Sequence, residues 1–227
     1  LAASGDTGST DFMLDLTNVY DHQVNSWPSA DPLVTSVGGT QLHLDADGNR
    51  TAPDNVWNDI PLGIDAAGGG GPSHVFPRPF FQFKTDTGAG RARATPDISM
   101  SAAVDGGVLV FTGFPGVRTG YHIVGGTSEA APLFSGVVAI ADQIAGRSLG
   151  WINPGLYRLA GRHNGSGIVD VTIGDNTFTA LDDNGNPLFT VPGFQAVRGY
   201  DMASGLGTVD AYDFAHQLAK HGGGDNR

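Results

Sequence analysis

Apolar and polar positions follow a strand-like pattern through the first half of the chain and then change period once. Leu1-Ala2-Ala3 runs directly into Ser4-Gly5-Asp6-Thr7-Gly8, which reads as the end of a buried strand entering a tight turn. An opening in mid-strand predicts a preceding segment. Residues 33–39 and 56–60 read as further short β runs, and residues 66–79 as a Gly/Pro-rich loop containing four consecutive glycines at 68–71. Residues 97–103, 108–112 and 121–124 supply more strands, with Asp105-Gly106-Gly107 as a hairpin turn between the first two. From Ser128 the period becomes helical. Ala130, Ala131, Leu133, Phe134, Val137, Val138, Ile140, Ala141 and Ile144 leave almost no polar face, which predicts a central helix buried nearly all round. Pro132 fits its first turn, where a missing amide costs nothing. Shorter helices are predicted at 153–160 and 210–221, and 222–227 as a flexible tail. With no internal repeat and no long linker, residues 1–221 read as part of one domain.

Composition narrows the function classes. At 227 residues and 40% hydrophobic, the chain can bury one sizeable core. A formal charge of −11 repels polyanions and excludes nucleic acid as the expected partner. No apolar run approaches the roughly 20 residues of a membrane helix. The absence of Cys removes disulfides, thiolate nucleophiles and Cys-ligated zinc, and is compatible with a secreted bacterial protein. Glu129 is the only glutamate among 23 acidic residues, so a mechanism needing another glutamate must find it outside this chain.

The sharpest chemical signal is GGTSEAAP at 125–132. Its glycines allow a tight turn and close approach, and Ser128 stands at the mouth of an apolar helix whose positive end favours developing negative charge. A nucleophile and an ordinary Ser N-cap both fit the octapeptide. Asp6, in a glycine turn just after a strand, fits either a functional carboxyl or a turn residue. In the C-terminal third, Asp170 and Asp201 flank irregular, Gly-rich backbone, a setting that suits a hard cation with oxygen ligands as well as a pair of Asx turns.

These stretches, taken together, resemble the sedolisin family, the serine-carboxyl peptidases. The carriers are SGDTG (4–8), WPSADPLVTSVGGT (27–40), VWND (56–59), GGGGPS (68–73), FPRPFFQ (76–82), TPDISM (95–100) and GGTSEAAP (125–132), in family order and spanning almost the whole chain. The resemblance implies a three-layer α/β subtilisin-like fold with a mainly parallel sheet, present here as its C-terminal portion. It implies a secreted serine endopeptidase acting at acid pH on peptide or protein substrates. Ser128 would be the nucleophile and the carboxyl of Asp6 would contribute to the oxyanion hole, where only a protonated carboxyl can donate. The family base is a Glu assisted by an Asp one helical turn away. No such pair occurs here, and Glu129, directly after the nucleophile, should point away from it. The resemblance therefore places the base on an upstream segment, an N-terminal fragment of the same precursor that acts as this chain's partner. It further implies one Ca²⁺, held by Asp170, Val171, Val197, Gly199 and Asp201, with Val197 standing where the family carries Gly. Trp57 is implied to line the base side or a substrate pocket, with core packing as the alternative. The glycines at 68–71 suit either backbone contact to an extended peptide or a plain loop. A non-catalytic, calcium-stabilised relative that binds peptide or serves as a structural module is the second reading of the whole chain.

Overall fold

The computed structural model describes residues 1–162 and 165–222. Its centre is a four-stranded sheet built on β2 (Ser36–Gln41). The first strand, β1 (Ala2–Ala3), lies parallel to β2, pairing Ala2 with Ser36 and Ala3 with Val37. Between β2 and the rest of the sheet come β3 (Asn55–Val56), antiparallel to the end of β2, then β4 (Gly71–Pro77) and β5 (Ala92–Thr95), which pair with each other. β6 (Ile98–Ser101) returns parallel to β2 on its other side, with Val37 opposite Ile98. Among the described strands parallel pairing joins β1, β2 and β6, and an isolated parallel bridge links Thr7 with Ala67. The hairpin of β7 (Val108–Thr112) and β8 (Gly120–Val124) leads into α1 (Thr127–Ala145), which is followed by α2 (Asn153–Ala160). Beyond them lie β9 (Ile168–Val169), the hairpin of β10 (Phe178–Leu181) and β11 (Pro187–Val191), β12 (Thr208–Val209) paired with β9, and α3 (Ala211–His221).

Several expectations change in detail. The run at 56–60 contributes only Val56 to a strand and turns at Ile60–Leu62. Part of the supposed loop at 66–79 is β4, whose pairing with β5 shifts register between Pro72 and Pro77 because a proline cannot donate to a ladder. The turn at 105–107 does not join a hairpin: β6 pairs with β2, and the hairpin is β7 with β8, which fits the sequence alternation better than the glycine signal alone. Of the expected tail, residues 223–227 lie outside the described residues, and Gly222 closes α3 by donating to the Leu218 carbonyl at 2.6 Å.

Helix α1 packs across β1, β2 and β6 and against α3. It buries Ala130, Phe134, Val137 and Ala141, a stripe at helical spacing, and Phe134 meets Phe214 of α3 at 5.6 Å between ring centres. All-round burial is not observed. Ile140 and Ile144 are 52% and 44% exposed, because only the sheet and α3 cover the helix among the described residues. Beside that open face, Val138, Leu1, Leu33, Trp151 and Ile152 border a shallow recess of about 340 Å³.

A buried polar knot joins the sheet to α2. Arg93 and Asp97 are fully enclosed and form a double contact, Nη1 to Oδ1 at 2.8 Å and Nη2 to Oδ2 at 2.5 Å. Asp97 also accepts from the Ser36 amide at 2.8 Å and from the Tyr157 hydroxyl at 2.8 Å, and Tyr157 accepts from Gln82 Nε2 at 2.7 Å. Burial pulls Arg93 toward neutrality, but the Asp97 carboxylate overrides it and holds the guanidinium charged.

Candidate active site

The turn after β1 and the start of α1 are built against each other. Ser4 donates to the Val37 carbonyl at 2.9 Å, after which Gly5, with φ +107°, swings the chain so that Asp6 reaches α1. Asp6 Oδ1 accepts from the Thr127 amide at 2.7 Å and lies 2.6 Å from the Thr127 hydroxyl. That hydroxyl also accepts from the Gly5 amide at 3.2 Å. Gly126 itself is required here: its φ is +88°, and a Cβ would stand 2.7 Å from Asp6 Oδ2. The backbone of α1 therefore starts with a side chain from 121 residues upstream acting as its cap.

Ser128 is the second residue of α1 and is exposed, directly after the threonine that Asp6 holds. Ser128 and the carboxyl of Asp6 are thus brought to one helix end, where the first-turn amides and the helix dipole favour an anion. Among the described residues no side chain hydrogen-bonds Ser128, so no general base is seen beside it. Glu129 turns the other way. It is 3% exposed, neither carboxyl oxygen has a partner in hydrogen-bonding geometry, and burial pushes its pKa up to about 7. The Val108 amide and the Ser101 hydroxyl favour the charged form but offset that burial only in part.

The glycines at 68–71 are neither an open peptide-binding edge nor a loose loop. All four are buried behind the Asp6 turn. Gly69 donates to the Gly5 carbonyl at 2.8 Å, and a Cβ on it would fall 2.1 Å from the Ser4 carbonyl oxygen, so backbone packs on backbone. Trp57 is 2% exposed, donates from Nε1 to Asp59 Oδ2 at 2.8 Å and abuts Gly39. The structure seats it in the core rather than on a pocket wall. Asp59, Thr127 and Asp97 were not singled out by sequence, and only Thr127 carried a usable signal, as the hydroxyl beside Ser128.

The second group of residues gathers below β9. Asp170 Oδ2 accepts from the Gly199 amide at 3.0 Å, and Asp201 Oδ2 from the Val197 amide at 2.9 Å. Asp201 Oδ1 accepts from Ala203, Ser204 and the Ser204 hydroxyl at 2.8 to 3.0 Å. Burial raises the Asp201 pKa against these bonds. Gly199 takes φ +88°, and Val197 does without such freedom. Among the described residues nothing donates to the carbonyl oxygens of Val171, Val197 or Gly199. Two carboxylates and three unbonded main-chain oxygens are of the type a hard cation takes, and among the described residues there is no group of three or more His, Cys, Asp or Glu that could hold a metal ion.

Against known proteins, the chain is 36% identical over 215 residues to kumamolisin of Bacillus sp. (strain MN-32), a match covering 92% of this chain and 34% of that protein. It is 30% identical over 204 residues to sedolisin of Pseudomonas sp. (strain 101), covering 88% and 31%, and 29% identical over 222 residues to human tripeptidyl-peptidase 1, covering 92% and 35%. The solved structure of Pseudomonas sedolisin, a serine-carboxyl proteinase complexed with two molecules of pseudo-iodotyrostatin, superposes with a TM-score of 0.77 at 28% identity, over 96% of this chain and 55% of that one. The chain is a sedolisin-family homologue. It carries the α/β subtilisin-like fold of that family, and it spans about a third of the length of the curated relatives it matches. No family model matches it. Among the described residues no helix is long and apolar enough to cross a membrane.

Proposed function

We propose that this sedolisin-family chain supplies the nucleophile and the oxyanion carboxyl of a secreted serine-carboxyl endopeptidase that works at acid pH. The observation that carries this reading is the capping of the Ser128 helix by Asp6, which sets a hydroxyl and a carboxyl at one positive helix end. Ser128 Oγ attacks the carbonyl carbon of a peptide bond and its proton passes to a carboxylate base. The amine then leaves with a proton, and water hydrolyses the acyl-enzyme. An upstream segment of the same precursor provides the Glu and Asp of the base. The open apolar face of α1, with Leu1 and Leu33 beside it, supports a partner segment there. Asp6 donates to the oxyanion only as the neutral acid, since a carboxylate accepts and would repel the forming charge.

The test is kcat/KM against pH for the complete enzyme. Asp6→Ala should fall by about 10² to 10³ in the acid range, the cost of one oxyanion donor. Asp6→Asn, whose amide does not titrate, should keep activity to higher pH than the wild type. Wild-type kcat/KM in Asp6→Ala would make Asp6 a cap alone.

The same reading assigns Ca²⁺ to Asp170, Asp201 and the carbonyls of Val171, Val197 and Gly199. The ion's role is stability, since it ties β9 to the loop that follows β11. A ligand bound only by the folded state adds about 2.7 kcal/mol at a hundredfold excess over Kd, which for a chain of this size is about 5 to 10 °C in Tm. Chelation should remove that increment and added Ca²⁺ restore it, while Asp201→Ala, which also forfeits the four hydrogen bonds that carboxylate accepts, should melt below the chelated wild type and no longer respond to Ca²⁺. A melt indifferent to chelator would remove the site.

A further inference from the structure

Glu129 has no use in the chemistry above, yet its setting is unusual. It is the third residue of the helix that presents Ser128, and its side chain is enclosed between the end of β6 and the start of β7. A glutamate at that position of a helix commonly reaches back to the amide of the capping residue. Here the Gly126 amide is taken by the Ala102 carbonyl at 2.6 Å, and both Glu129 oxygens are buried without a partner. The positive end of α1 favours a carboxylate, but burial prevails and the net direction is toward the neutral acid.

No charge nearby compensates. On the turn after β1 the titratable group is Asp6, bound to Thr127, and on α1 itself it is Asp142 near the far end. In the loop between β6 and β7 it is Asp105, exposed and accepting from Gln41 at 3.3 Å. On the β7–β8 hairpin they are Arg118, Tyr121 and His122, with the His122 ring bonded to the Arg118 carbonyl at 2.8 Å. β1, β2 and β6 carry none, and α3 carries Tyr212, Asp213, His216, Lys220 and His221. Among the described residues none pairs with Glu129.

We propose that Glu129 is a positioning residue for Ser128 that works only as the neutral acid: uncharged, it lets the end of β6, the start of β7 and the first turn of α1 close over it, and when it ionises that packing opens. The hairpin is the part of the molecule best placed to give way. Leu109, Phe111, Tyr121 and Ile123 are all more than half exposed, and among the described residues β7 and β8 pair only with each other. An uncompensated buried charge is relieved by letting water in, and the water would enter beside the turn that carries the nucleophile. This deepens the reading of Ser128 as nucleophile and rests on it for its effect on activity. The enzyme would then lose the geometry of its nucleophile on leaving an acid compartment.

The sign follows from linkage. The folded pKa, near 7, lies above the ordinary 4.5, so the folded state keeps its proton while the unfolded chain loses it. The stability tied to that proton is whole below pH 4.5 and is lost as pH climbs to about 7.

The experiment uses the full-length protein carrying Ser128→Ala, so that self-digestion plays no part and the result stands whether or not the chain hydrolyses peptides. Unfolding and hydrogen exchange of residues 108–130, corrected for intrinsic rates, are followed from pH 4 to 8 for this protein and for its Glu129→Gln and Glu129→Met forms. At pH 4 the glutamate and glutamine proteins should be alike. Above it, the folded-to-unfolded ratio of the glutamate protein should fall behind by up to tenfold per pH unit, reaching about a hundredfold by pH 7. Opening of residues 108–130 should increase with pH in the glutamate protein alone. In an Asp6→Asn enzyme, Glu129→Gln should move the alkaline limb of kcat/KM upward. Parallel stability profiles overturn the proposal, and so does failure of both variants to fold, since that would mean the carboxyl is needed at every pH.

Discussion

Asp97→Ala is expected to cost about 3 to 5 kcal/mol of unfolding free energy, the range found when one partner of a buried ion pair is removed. The size follows from what is stranded. Arg93 is fully buried and would keep its charge with no counter-ion, while the Ser36 amide and the Tyr157 hydroxyl would each lose an acceptor. Those partners lie on β5, β2 and α2, so three elements loosen at once. Replacing both ions by apolar groups, as in Arg93→Met with Asp97→Leu, should cost less than Asp97→Ala alone, because no charge remains buried. Urea unfolding of the full-length protein in its Ser128→Ala form measures both. A loss below about 1 kcal/mol for Asp97→Ala would mean that water or another group reaches Arg93.

How much of this was legible in the sequence differs by element, for physical reasons. The end of β1, the span of α1 and the extents of α2 and α3 could be read because local chemistry sets them. A glycine pair precedes α1 and Gly146 ends it with φ +65°, and Asp210 caps α3 by accepting from the Asp213 amide at 3.1 Å. The β4–β5 pair could not be read, since its first strand is GPSHVFP and two prolines and a glycine run mimic a loop. The choice between β6–β7 and β7–β8 as the hairpin depended on long-range pairing of β6 with β2, which no local turn signal reports. For α1 the apolar sequence was right about its residues and silent about which side is covered, because burial belongs to neighbours.

The candidate site shows the same division. Ser128 at a helix mouth is a local feature. The contact between Asp6 and Thr127 crosses 121 residues, and no spacing within the chain announces it; the family resemblance alone suggested that the two belong together. That Glu129 turns from Ser128 was expected from its place in the helix, whereas the spending of the Gly126 amide on Ala102, which denies Glu129 the usual capping contact, depends on tertiary packing.

The largest effect expected is that of Ser128→Ala on turnover. In an enzyme that works through a seryl nucleophile and a base, the pair acts as a unit, and loss of the nucleophile costs about 10⁶ in kcat, or roughly 8 kcal/mol of activation free energy. What remains is binding and the oxyanion donor, which still exceed the uncatalysed rate. The change removes one exposed hydroxyl that bonds to nothing among the described residues, so the fold should be untouched. The decisive measurement is kcat/KM of the complete enzyme at acid pH on a peptide substrate, with Tm recorded on the same samples. The account predicts a loss of about 10⁶-fold in Ser128→Ala with Tm unchanged. Turnover within tenfold of the wild type in a folded Ser128→Ala protein would contradict it.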